Sequence, residues 1–313
     1  MSTIDEDKED VLVENNAQFI YQHIRSLENE IDKNSSRWFW ELLQNAKDAQ
    51  DTNTIKVALD YNNGEVIFKH TGKEFTRKEI LHLIYHGSTK KGDPTKTGKF
   101  GTGFMTTHLL SKKVDIKGKL LEKDKCFEFT LDRTGNNSDE LRETLEKSYK
   151  NFKSNSDYPY NPSQDYNTQF AYSINPIRTN LVENVINTLK LTIPFVLASS
   201  EEIGKLLIVN KEDSFTINRL GDDVLNPETP IKEYKIKVQN ENISILKLES
   251  VTDVEFAYNN EDGENITEEK IKLSVNVEVN NKKVLRINKK TPCIYYDFPL
   301  VTTDSFKFPA IRK

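Results

Sequence analysis

Between Ser35 and Gln50 the sequence lays two stripes along one helix. Trp38, Leu42, Ala46 and Ala49 recur at spacings of three and four, and Phe39 and Leu43 widen that apolar face. Glu41, Asn45 and Asp48 stand at i, i+4 and i+7 along its edge. A helix this apolar on one side must lie on a core, which sets the three polar groups at the rim of a pocket. Asn34, Ser35 and Ser36 offer N-caps ahead of it. Taken alone, a polar stripe describes a solvated helix face, so what surrounds the helix decides its meaning.

Before it, Ala17, Ile20, Ile24, Leu27 and Ile31 predict another amphipathic helix, preceded by an acidic stretch, residues 1–10, expected to be frayed. After it, Thr54–Asp60 and Glu65–Phe68 alternate apolar and polar residues around Asn62-Asn63-Gly64, a hairpin signature. Thr76 and Glu79 form a capping box opening a short helix. Gly87–Gly103 reads as loop and Phe104–Leu110 as a short helix; Val114–Lys119 and Cys126–Leu131 read as strands. Residues 133–167 read as an insertion holding a charged helix near 138–152, strand character returns at Thr168–Ser173, and a helix covers Leu181–Leu189. From about residue 197 the pattern mostly alternates, giving a first domain over 11–196 and a β-rich one over 197–313.

Composition removes several classes. With 36% hydrophobic residues, 16 Phe and 12 Tyr among 313 residues, the chain can bury real cores. Its net charge of −5 argues against coating nucleic acid by bulk charge; a nucleic-acid partner is left open but not indicated. Lys112, Lys113, Lys117, Lys119, Lys123 and Lys125 form a local basic run that reads as a solvated strand edge. Two distant cysteines, Cys126 and Cys293, rule out a disulfide scaffold or a cysteine-based zinc module and suit a reducing cytoplasm. His82, His86 and His108 lack metal-ligand spacing. No uninterrupted apolar run reaches membrane-spanning length, so no membrane partner is expected.

A carboxylate and a carboxamide one turn apart suit a magnesium-nucleotide site. The Asn45 amide oxygen is a hard donor for the metal, and the Glu41 carboxylate can take a proton from an attacking water. Downstream, Gly98-Lys99-Phe100-Gly101-Thr102-Gly103-Phe104 opens a helix, and glycines let backbone N–H groups approach a phosphate chain. The loop lacks the Gly-Lys-Ser/Thr ending of a Walker A motif and the βαβ setting of a dinucleotide fingerprint.

Together, Glu41-Leu42-Leu43-Gln44-Asn45-Ala46-Lys47-Asp48-Ala49, the hairpin, the glycine loop and the Thr168-Gln169-Phe170 strand resemble the GHKL superfamily of ATPases, whose fold is shared by gyrase, the large heat-shock chaperones, histidine kinases and MutL-type repair proteins. Lys69–Thr76, Gly87–Lys90 and Tyr296–Leu300 make the sequence similar to the sacsin-like, chaperone-type branch. The resemblance implies an α/β two-layer sandwich with helices on one face of a mixed sheet, followed by a transducer-like β-rich domain of a longer protein. It implies ATP and Mg2+ as ligands, Glu41 as general base and Asn45 as metal ligand. Asp48 and Ala49 line the nucleotide. Gly98, Lys99, Gly101, Thr102, Gly103 and Phe104 belong to a mobile lid over the triphosphate, and Thr168 lies on the adenine side.

One motif departs. The family's Asp-x-Gly, whose Asp receives the adenine amino group, is His70-Thr71-Gly72 here. A neutral His70 is expected to accept that bond through its unprotonated nitrogen. Lys205, Lys289 and Lys290 are the basic residues that a second domain would offer to the γ-phosphate. The resemblance further implies a homodimer or partner protein met through the lid, with a chaperone-like or remodelling role, a bacterial antiviral defence setting being one such place. A DNA-processing ATPase and a non-hydrolysing ATP-sensing scaffold are the alternatives.

Overall fold

The computed structural model describes residues 4–32, 35–51, 53–85, 102–122, 125–159, 165–211, 213–226, 230–260, 263–281, 283–296, 298–299 and 311–312. The chain divides into two compact units, Met1–Asn187 with Glu202–Phe215, and Thr188–Glu201 with Thr216–Lys313.

In the first unit, α1 (Ile4–Asn29) buries Ala17, Ile20, Ile24 and Leu27 as the periodicity requires. It also takes in residues 4–10, which the sequence reading left frayed; Asp10 accepts a bond from Arg142 at 3.0 Å. The second helix, α2 (Arg37–Asp48), buries Trp38, Phe39, Trp40, Leu42, Leu43 and Ala46. Ser36 precedes it without a side-chain cap, because its backbone is already helical (φ −105°, ψ −6°) and its carbonyl instead takes the Phe39 N–H.

Strands β1 (Ile55–Asn62) and β2 (Glu65–His70) close through Asn63 and Gly64, whose φ angles of 54° and 76° make the tight hairpin turn. Helix α3 (Arg77–Tyr85) opens on the reciprocal capping box, Thr76 N–H to Glu79 at 2.8 Å and Glu79 N–H to Thr76 Oγ1 at 3.1 Å. A 3-10 turn (Gly103–Leu109) leads into β3 (Lys113–Leu120) and β4 (Lys125–Asp132). Helix α4 (Ser138–Ser154), expected inside an insertion, is part of the fold. Phe152 packs on Phe127 and Phe129, while Asn151 and Ser148 accept the Thr130 and Asp132 N–H groups where β4 runs past its short neighbour β5 (Ser156–Pro159).

With β6 (Thr168–Ser173) and β7 (Ile203–Asn210), the strand order in this unit is β7-β1-β2-β6-β3-β4-β5. All neighbours are antiparallel except β1 and β7, which pair in parallel. The first unit is therefore a mixed sheet with helices. Lys205 accordingly sits on β7 in the first unit, opposite Lys56, and not in the second domain where it was expected. The register aligns Val57, His70, Thr168, Gly118 and Phe127 in one row across the sheet, all buried, on the face where Phe39 of α2 meets Phe68. The opposite face carries ion pairs such as Lys69–Asp60 and Lys117–Glu128.

Helix α5 (Thr179–Ser199) is longer than expected and runs through Pro194, which gives up one backbone bond. Residues 192–200 are all buried, and that packing holds the helix together across the proline. By length and hydropathy, Pro176–Ser199 is the one stretch among the described residues able to cross a membrane; 67% of its most apolar 18-residue window is buried inside the protein, as in a core helix. In the second unit β8 (Phe215–Asn226), β9 (Ile231–Val238), β10 (Glu241–Asn260) and β11 (Gly263–Asn280) form an antiparallel sheet in chain order. Phe215, Ile217, Tyr234, Ile236 and Ile245 are buried along these strands.

Candidate functional site

Both ends of α2 are held by loops. Toward its N-terminal half, Glu41 lies against Gly103, the first residue of the 3-10 turn. A Cβ added at Gly103 would fall 1.9 Å from Glu41 Oε2 and 2.6 Å from Cδ, so a side chain there would push the carboxylate aside. The other carboxylate oxygen, Oε1, accepts a 3.3 Å bond from Arg37 Nε one turn earlier. The Glu41 side chain is 17% exposed. Asn45 and Asp48 follow along the same edge, half-buried.

At its C-terminal end α2 meets the loop after β2. The Ala49 carbonyl accepts the Lys73 N–H at 2.7 Å, and a Cβ at Gly72 would stand 2.8 Å from the Ala49 Cβ. Asn167 Nδ2 donates to the Gly72 carbonyl at 2.7 Å while its own N–H donates to the His70 carbonyl at 3.0 Å. Asn167, which sequence reasoning missed, thus latches the 70–72 segment; it lies next to Thr168, and that adjacency was its one signal.

His70 is buried, and burial pushes its pKa down to about 4. Its Nδ1 accepts the Gly72 N–H at 3.1 Å. The acceptor nitrogen expected to face a ligand is therefore used internally, a correction with a simple cause: the chain turns at Gly72 and brings its N–H back onto the ring. Beside His70 in the ladder, Thr168 is fully buried, and its hydroxyl has no hydrogen-bond partner among the described residues. An unmet buried hydroxyl costs about 1–3 kcal/mol, so a native fold keeps one where something else satisfies it.

The 3-10 turn has its own support. Phe104 packs on Phe170 and His108, with ring centroids 5.4 and 5.8 Å apart, and Thr106 Oγ1 donates to the Gly103 carbonyl at 2.8 Å. Thr102 precedes the turn, and its carbonyl takes the Met105 N–H. Behind it Arg133 is buried, donating from Nη2 to the Leu83 carbonyl at 2.8 Å, with Nη1 3.0 Å from His108 Nε2. Burial lowers Arg133 to about 9, and burial first and Arg133 second hold His108 well below its ordinary value. His108 is thus neutral, and its structural role agrees with its lack of metal-ligand spacing. This cluster carried no periodic signal in the sequence.

The structure brings Glu41 and Gly103 together, and separately Ala49, His70, Gly72 and Thr168. Gly98, Lys99 and Gly101, with the rest of residues 86–101, lie outside the described residues. Among the described residues no group of three His, Cys, Asp or Glu side chains is placed to hold a metal ion. A magnesium ion held through one carboxamide, waters and phosphate oxygens would need no such group. In the basic run, Lys112 pairs with Glu28, Lys113 with Asp132 and Lys117 with Glu128. Compared with protein-family models and with curated proteins, the chain matches none.

Proposed function

We propose that this chain is a magnesium-dependent ATP-binding and ATP-hydrolysing switch module of a larger chaperone-like or remodelling protein, with a GHKL-type nucleotide fold in its first unit. The observation that carries this reading is the contact of Glu41 with Gly103. A carboxylate on a core helix meets the end of a glycine-rich stretch at Gly103, where an added Cβ would collide with it. Glu41 orients water and takes its proton; Asn45 holds the magnesium ion that neutralises phosphate charge; the loop ending at Gly103 supplies backbone N–H groups to phosphate oxygens. The unmet Thr168 hydroxyl and His70 supply polar groups for the base at the far end of α2.

Glu41→Gln tests it. The variant is expected to bind Mg-ATP within about threefold of wild type while hydrolysis falls roughly 10²–10⁴-fold, the scale of a lost general base. Asn45→Ala is expected to lose magnesium-dependent binding. Hydrolysis by Glu41→Gln at the wild-type rate overturns the assignment.

A second reading, an ATP sensor without turnover, is favoured by the Arg37 bond that already occupies one Glu41 oxygen. Wild-type binding without phosphate release would select it. The DNA-processing alternative gains nothing from the basic run, three of whose lysines are paired within the chain.

A further inference from the structure

His70 and Thr168 define what this site can read. A neutral imidazole has one acceptor and one donor nitrogen. The Gly72 N–H occupies the acceptor Nδ1 at 3.1 Å, so Nε2 carries the proton and is a donor. Facing residues of an antiparallel pair project to the same side of the sheet, which places the unpartnered Thr168 hydroxyl beside the ring. The 70–72 segment is held on both flanks, by Ala49 packed on Gly72 and by the Asn167 amide on the Gly72 carbonyl, so the Gly72 N–H stays in place and a reversed ring would leave it facing a carbon.

We infer that His70 and Thr168 recognise a nucleobase through an acceptor atom on its edge, with His70 Nε2–H donating, and that the exocyclic amino group of adenine is not required. An Asp at this position can only accept, and so demands a donor such as that amino group; His70 in this tautomer demands the opposite. The hydroxyl of Thr168, able to donate or accept, adapts to either neighbour on the base. The inference rests on the nucleotide reading and narrows it: the site takes purine nucleoside triphosphates with and without a 6-amino group.

The test uses the wild-type chain with Mg2+ and three probes: ATP, purine riboside 5′-triphosphate, which lacks the amino group, and inorganic tripolyphosphate, which lacks the nucleoside. Expected are equal affinities for the first two within about threefold, and tripolyphosphate at least roughly tenfold weaker, since an unmet buried polar partner costs about 5- to 150-fold. Thr168→Val, of the same shape, is expected to weaken ATP and the purine riboside analogue alike by about fivefold or more. Purine riboside triphosphate binding more than tenfold weaker than ATP overturns the inference and leaves the ATP reading standing. Tripolyphosphate binding as tightly as ATP, or Thr168→Val leaving both affinities unchanged, also overturns it. If none of the three probes binds, the nucleotide reading itself falls, a distinguishable result.

Discussion

His70 and His108 make the first unit acid-sensitive in a calculable way. Both imidazoles are buried, and burial is the main cause holding each below its ordinary value near 6.5; Arg133 adds to it at His108, with Lys112 a smaller contribution. Above about pH 7.5 both are neutral folded and unfolded, and they make stability independent of pH. As pH falls through about 6.5 the unfolded chain takes up protons that the native chain refuses, so stability declines by up to roughly 1.4 kcal/mol per pH unit for each ring. For His70, with a native value of about 4, the loss reaches about 2 kcal/mol at pH 5 and levels off near 3 kcal/mol below pH 4. Trp38 and Trp40, the chain's two tryptophans, are both buried on α2, so their fluorescence in urea reports this unit. His70→Asn keeps an oxygen for the Gly72 N–H and removes the titration. Its stability loss between about pH 7.5 and pH 5 should be smaller than wild type's by about 2 kcal/mol. An identical loss in both proteins would refute the buried, neutral His70.

Two glycines that touch α2 should respond differently to alanine. At Gly103 the obstacle is the movable end of Glu41; Gly103→Ala is expected to change stability by less than about 1 kcal/mol yet depress hydrolysis, seen as near-normal urea midpoints with reduced phosphate release. Gly72→Ala meets the Cβ and carbonyl of Ala49, which cannot swing away; it should cost about 1–3 kcal/mol in the same unfolding assay. Equal destabilisation by the two would contradict the packing described.

Local chemistry made much of the first unit readable. The α2 stripes, the Asn63-Gly64 turn and the Thr76–Glu79 box each depend on residues within one turn of one another, and each forms as its spacing dictates. Parallel pairing of β7 with β1 joins segments far apart in sequence and leaves no periodic mark, so β7 was assigned to the wrong unit. The same holds for the seat of α4: its burial against β4 follows from N–H groups that only the sheet order exposes. At the site, Glu41 was legible from helical spacing, whereas the His70 tautomer was not. Which nitrogen holds the proton follows from a backbone turn two residues on, a geometric fact that residue types do not encode. Asn167 sits in a loop without periodicity, and Arg133 is a buried cation where sequence rules place an exposed one.

The two contacts of α2 also limit the shape of whatever binds there. Glu41 and Ala49 are separated by about 12 Å along the helix axis at 1.5 Å per residue. At one end stands a carboxylate against a glycine loop, at the other a buried donor and an unmet hydroxyl. A ligand small enough to satisfy one end cannot reach the other, so only an elongated molecule uses both. On the proposed reading its polarity follows: His70 and Thr168 are uncharged and enclosed, which suits a planar hydrogen-bonding ring, while the helix edge with Glu41 and Asn45 suits the cation and phosphate end. The helix between the two fixes their separation. On the nucleotide reading proposed above, this one helix sets the span between the base and the phosphates.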